Sequence, residues 1–270
     1  MDRLFVGGTV NAAEVGHGPV LVLFHSLLSD RASFDAIVPT LSRSFRVLVP
    51  ELPGFGQSQA ADGGLPAVAA RMAAFIKETA AGEPAIVLGN GYGSFVALQM
   101  AILDPAIAGR LILAGCGAAF SEPGREAFRN MARVSEAKGM AAITDVAMRR
   151  LFAPEFQAAN PVLMQDRRAA FLRTDRDVFK SACEALAGLD LRAEISAVKV
   201  PILVLVGEHD EATPPPMAIE LAAALPDAQL EILKGCAHVP QLQSPQQFLD
   251  AIEPFLNGAK PLLNEVSAAE

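Results

Sequence analysis

A chain of 270 residues that is 51% hydrophobic and 19% charged suits one large globular domain, or a domain carrying an insertion. Its formal net charge of -8, with no clustered Lys and Arg, excludes a nucleic-acid partner, which needs a basic face for phosphates. Cys116, Cys183 and Cys236 form no C-x-x-C pair, which sets aside a disulfide framework and a zinc site and points to a reducing cytoplasm, and no apolar run suits a signal-peptide core or a bilayer span.

Residues 3–24 read as strands, ending in Val20-Leu21-Val22-Leu23-Phe24, a continuous apolar run suited to a central strand. His25-Ser26-Leu27-Leu28-Ser29-Asp30 follows as a loop, then a helix over about 32–41 and a strand over 45–49. The turn formers of 50–58 make a surface loop. From 66 to 80, Val68, Met72, Phe75 and Ile76 share one helical face, and a strand over 85–88 comes next. A helix from Tyr92 to Leu103, stopped by Asp104-Pro105, and a strand over 110–114 complete this half. The alternation predicts an α/β fold: a mostly parallel sheet covered by helices on both faces, with ligand chemistry at the carboxyl ends of the strands.

Between about 117 and 191 the alternation stops. Helical patterns over 125–138, 142–151, 161–172 and 177–186, with no convincing strand, describe a helical cap inserted into the fold. The strand–helix rhythm resumes at 200–207 and continues through a helix at 215–225, a strand at 230–233 and a last helix at 245–256. The expected organisation is thus a core of 1–116 and 192–257, a cap of 117–191, and a loosely packed tail of 258–270.

The most telling stretch is Ile86-Val87-Leu88-Gly89-Asn90-Gly91-Tyr92-Gly93-Ser94. An apolar run, small residues and then a helical pattern describe a buried strand turning sharply into a helix, the setting of the nucleophile elbow Gly-x-Ser-x-Gly. Gly91 stands at its centre, so no side chain occupies the place of the attacking atom. In a triad of this kind the nucleophile, acid and histidine follow in chain order. Positions 91, 210 and 238 fall in that order, each just after an expected strand. His238 then acts as the base, and Asp210 fixes its tautomer and stabilises the imidazolium. Taken singly, His238 is equally a capping histidine and Asp210 an ordinary helix cap. His209 and His17 read as structural.

Together with Leu52-Pro53-Gly54-Phe55-Gly56-Gln57-Ser58, the segment 207–214 and Gly235-Cys236-Ala237-His238, these landmarks resemble the α/β-hydrolase superfamily over about residues 3–257. The capped group containing 3-oxoadipate enol-lactonases is the most similar. The resemblance implies an oxyanion hole from the backbone N–H groups of Leu27 and Tyr92, and a pocket bordered by His25, Ser26 and Asn90. It also implies a glycine at position 26, where this chain has a serine, whose hydroxyl either lies near the hole or caps the next turn.

With Gly91 at the elbow, covalent catalysis through that residue is excluded, and three readings remain. In the first, water fills the vacated notch and is activated by His238 and Asp210 to hydrolyse a small ester, enol-lactone or activated ketone. In the second, His238 draws a proton from the substrate, as in a cofactor-free lyase, isomerase or oxygenase. In the third, the pocket binds a small molecule without turning it over. Ser94 and Cys116 are the alternative attacking groups, with a packing role the more usual one for a buried cysteine. Phe120, Phe128, Met131, Met148, Phe152 and Phe156 read as pocket lining or as the cap's own core. Arg125, Arg129, Arg149 and Arg150 are available to a carboxylate or to solvent. No cofactor or metal motif stands out, and the expected partner is a small-molecule substrate.

Overall fold

The computed structural model describes residues 2–258. Its strands are β1 (Asp2–Phe5), β2 (Val10–Val15), β3 (Val20–Phe24), β4 (Arg46–Pro50), β5 (Ala85–Asn90), β6 (Ala108–Ala114), β7 (Ile202–Gly207) and β8 (Ala228–Leu233). They form one eight-stranded sheet in the order β1-β2-β4-β3-β5-β6-β7-β8. β2 runs antiparallel to β1 and β4, and every other pair is parallel. The alternation of strands and helices thus produces the mostly parallel α/β sheet expected of it.

The helices are α1 (Val38–Leu41), α2 (Gly64–Ala80), α3 (Tyr92–Leu103), α4 (Glu122–Lys138), α5 (Thr144–Leu151), α6 (Pro154–Ala159), α7 (Pro161–Leu172), α8 (Arg176–Gly188), α9 (Pro215–Ala224), α10 (Pro240–Gln243) and α11 (Pro245–Leu256). Successive side chains of a strand point to opposite faces, and β3 shows the consequence. Val20, Val22 and Phe24 enter a core shared with Phe75 of α2 and Phe95 of α3, while Leu21 and Leu23 enter a second core with Phe248 and Ile252 of α11. α3 is apolar all round and buried from Tyr92 to Ala101, so it can exist only sandwiched inside the fold.

The region between β6 and β7 is helical, α4 to α8. Its boundaries are written locally. Ser121 Oγ accepts the Gly124 N–H at the start of α4, and Gly139 closes that helix at φ +78°. Asp175 accepts the Asp177 and Val178 N–H groups at the start of α8.

One expectation needs correction, and two short helices were not expected. The helix expected over 32–41 is a 3-10 turn (Arg31–Phe34) followed by the separate, short α1. Pro39 explains the break: it lacks an N–H and fits only the first turn of a helix, where the structure has it. α6 and α10 are six and four residues long and too short to declare a period in sequence. Of the expected 258–270 tail, residues 259–270 lie outside the described residues. Among those described, no helix is long and apolar enough to cross a membrane, and no cluster of His, Cys, Asp and Glu is arranged to hold a metal ion.

Candidate active site

β3 has β4 on one side and β5 on the other, so the chains leaving β3 and β5 diverge and open a crevice at their carboxyl ends. The loop after β3 and the turn into α3 meet there, tied by the Gly93 N–H donating to the His25 carbonyl at 3.1 Å. A Cβ on Gly93 would collide with the Phe24 carbonyl oxygen, so only glycine lets α3 lie this close to β3. Gly91, between β5 and α3, has φ +53° and ψ -119°. Side-chain-bearing residues adopt that conformation only under strain.

His238, buried in the loop after β8, has its Nδ1 2.8 Å from Asp210 Oδ2. Asp210 follows β7 and is itself buried. Its Oδ1 accepts the Ala212 and Thr213 N–H groups at 2.8 and 2.9 Å, and its Oδ2 accepts the Thr213 hydroxyl at 2.9 Å. Four donors therefore converge on one carboxylate and fix its direction. With Nδ1–H given to Asp210, the network assigns the free lone pair of His238 to Nε2.

Nε2 faces Ser26. The hydroxyl of Ser26 lies 3.4 Å from Nε2, and a Cβ built on Gly91 would stand 2.5 Å from that hydroxyl and 2.6 Å from Nε2. This corrects the expectation of a vacant notch: the Ser26 hydroxyl and the imidazole have closed over the glycine. Beside them lies a cavity of about 20 Å³ lined by Ser26, Leu27, Gly91, Tyr92, Thr213 and His238, with Phe120, Phe128, Arg150 and Leu186 from the inserted region. The space is large enough to hold water beside His238.

Leu27 and Tyr92 both border this cavity. Tyr92 begins α3, so its N–H has no intrahelical acceptor, and the Leu27 N–H has no acceptor among the described residues. Two amide donors thus border the same cavity as His238.

His25 and Asn90 lie behind the cavity wall and not on it, contrary to expectation. His25 is fully buried, its Nε2 accepting the Leu52 N–H at 3.1 Å and its Nδ1–H donating to the Ser26 carbonyl at 3.0 Å. Burial pushes its pKa below the ordinary imidazole value, so it serves as a neutral brace. Asn90 donates to the His238 carbonyl at 2.9 Å and accepts from Gln241 at 3.0 Å, which positions the loop that carries His238. The Leu151 carbonyl, at the end of α5, takes the His238 N–H at 3.2 Å from the other side.

The alternative attacking groups face elsewhere. Ser94 donates to the Ala114 carbonyl at 2.9 Å. Cys116 is buried, its pKa pushed up by desolvation, and it borders no part of the cavity. His209 is exposed, as is Glu208 beside it, in the turn after β7 and away from the buried Asp210, so its exposure comes from that turn and not from strand alternation.

Of the four arginines, Arg125 is spent on the carbonyls of Phe120, Ala187 and Leu189, and Arg129 pairs with Glu122. Only Arg150 reaches the cavity. Its guanidinium lies 5.4 Å from the Phe128 ring centroid, and its buried Nε has no partner among the described residues. Thr213 and Gln241 were not singled out by sequence reasoning. Thr213 lies within the 207–214 segment, where its spacing from Asp210 was available; nothing in the chain foretells Gln241.

Residues 21–251 match the sequence pattern of the alpha/beta hydrolase family. A pimeloyl-[acyl-carrier protein] methyl ester esterase of Aeromonas hydrophila is 28% identical over 268 residues, covering 92% of this chain and 99% of that protein. A 3-oxoadipate enol-lactonase 2 of Acinetobacter baylyi is 26% identical over 165 residues, 61% of each chain. The crystal structure of the enol-lactonase from Burkholderia xenovorans LB400 superposes with a TM-score of 0.87 at 27% identity, covering 95% of this chain and 100% of that one.

Proposed function

The chain belongs to the alpha/beta hydrolase family, and we propose that it hydrolyses a small carboxylic ester or enol-lactone, with His238 and Asp210 activating a water and no acyl intermediate on residue 91. The observation that carries this reading is the 2.8 Å contact of His238 Nδ1 with Asp210, which leaves Nε2 open to the cavity. A base so held takes the proton of an attacking water and returns it to the leaving oxygen. The Leu27 and Tyr92 amides take up the charge that develops on the carbonyl oxygen. Gly91 stands, on this reading, where relatives of the family carry their nucleophilic serine. Direct attack by water is the shortest route such an elbow allows.

The esterase and enol-lactonase names of the relatives agree with an ester or lactone substrate. An acyl part carrying a carboxylate suits the guanidinium of Arg150. On this reading α4, α5 and α8, which bring Phe128, Arg150 and Leu186 to the cavity, form a cap over the substrate. A reducing cytoplasm suits three buried, unpaired cysteines.

The test is hydrolysis of a panel of short-chain esters, lactones and β-diketones by the wild type, His238→Ala and Asp210→Asn. His238→Ala is expected to lose about 10²-fold or more in kcat. If it still binds a panel member that the wild type also fails to cleave, the site is a silent binding pocket. Product from the β-diketones alone would favour proton abstraction from the substrate.

A further inference from the structure

We infer that Ser26 is the group that attacks first, forming an acyl-enzyme on the loop after β3 that the His238-activated water then hydrolyses. The inference rests on the proposed ester or lactone hydrolysis with His238 as base, and it replaces direct attack by water with two half-reactions.

The Ser26 hydroxyl stands 2.5 Å from where a Cβ of residue 91 would be, so it occupies the place a side chain on the elbow would take. It lies 3.4 Å from His238 Nε2, the lone pair that Asp210 leaves free. That separation is long for a formed O–H···N bond and usual for a resting nucleophile and base, which close up on substrate. Ser26 and Gly91 are also sterically matched. A Cβ at 91 would crowd the Ser26 hydroxyl at 2.5 Å and turn it away from its present place, and a glycine at 26 would leave the base with no hydroxyl.

Turn capping does not account for the hydroxyl. The Ser29 N–H closes that turn on the backbone carbonyl of Ser26 at 3.2 Å, and among the described residues the hydroxyl's one partner is His238. The loop is held as a nucleophile's platform must be. His25 donates to the Ser26 carbonyl, Leu52 fixes His25, and Gly93 binds the His25 carbonyl.

The chemistry balances without any added reactant but water. Ser26 Oγ bonds to the acyl carbon as its proton passes to Nε2; the ester C–O bond breaks, and Nε2–H protonates the departing oxygen. Water then gives its proton to Nε2 and bonds to the acyl carbon, and Ser26 leaves with that proton. The products are acid and alcohol, or the ring-opened acid from a lactone.

The experiment treats the wild-type protein with an alkyl fluorophosphonate, which esterifies a base-activated serine with loss of fluoride, and maps the adduct by peptide mass spectrometry. The adduct is expected on Ser26 in the wild type and absent from His238→Ala. In parallel, p-nitrophenyl acetate should give a burst of about one equivalent, and Ser26→Ala should lose the burst and about 10³-fold or more in turnover. An unlabelled Ser26, or Ser26→Ala with wild-type turnover, overturns the inference. His238 is read separately. If Ser26→Ala is fully active while His238→Ala is dead, direct attack by water stands; if both are active, the proposed base fails as well.

Discussion

At the scale of single residues, Gly91 decides between two histories of this site. If the elbow had merely lost its hydroxyl, Gly91→Ser would restore a nucleophile and raise activity. The structure predicts the reverse, because even a Cβ at 91 comes within 2.5 Å of the Ser26 hydroxyl and 2.6 Å of His238 Nε2. Gly91→Ala should therefore lower esterase activity by at least about tenfold, and its left-handed φ should cost about 1–2 kcal/mol of stability. Kinetics and urea unfolding of Gly91→Ala and Gly91→Ser check this, and a gain of turnover in the serine variant would refute it. His238 and Asp210 were legible because strand order and triad order coincide along the chain. The neighbours were not: whether His25 or Ser26, Asn90 or Gly91 faces the crevice is set by the turn geometry of two separate loops, which only the folded pair defines.

At the scale of elements, the site gathers residues from loops at the carboxyl edge of the sheet and from the helices between β6 and β7. The loop after β3 and the start of α3 carry Leu27 and Tyr92, the loops after β7 and β8 carry Asp210 and His238, and the helices between β6 and β7 bring Phe128, Arg150 and Leu186. Arg150 is half-buried, with burial working against its charge and Asp210 supporting it. Its unpartnered Nε lets it take a carboxylate oxygen. Arg150→Met should raise KM about tenfold or more for esters of a dicarboxylic acid and leave uncharged acetate esters within about twofold, a split read from steady-state kinetics. Equal effects on both substrate types would assign Arg150 to packing on Phe128 alone. The long helices α2, α4, α7 and α11 were readable from their stripes and end signals, and α3 from its continuous apolar run stopped at Asp104-Pro105. α6, α10 and the divided 32–41 segment were not, since one or two turns carry too few residues to show a period.

At the scale of the whole molecule, the buried network behind the site links chemistry to stability. His25 ties the loop after β3 to the loop after β4, and burial holds its pKa below the ordinary 6.5. A histidine neutral in the fold but protonated in the unfolded chain makes the unfolded state bind more protons. Stability is therefore lost as pH falls from about 6.5 towards the lower folded value, and levels off beneath it. Urea unfolding from pH 7.5 to 5 should show that decline in the wild type and a shallower one in His25→Gln; identical slopes would remove His25 as the cause. The α/β alternation and its helical interruption made the fold class readable along the chain. The closure of Ser26 and His238 over Gly91 was not readable, because it is a contact among residues 26, 91 and 238 that no local pattern encodes.

The account stands on His238 as the base of an ester or lactone hydrolysis. Initial rates of acid release from short-chain esters and enol-lactones, compared between the wild type and a folded His238→Ala, test it most directly. With His238 as the base, the wild type turns over at least one of these substrates and the variant loses about 10²-fold or more. Equal rates in the two proteins, or a wild type that binds the esters and never cleaves them, would contradict it.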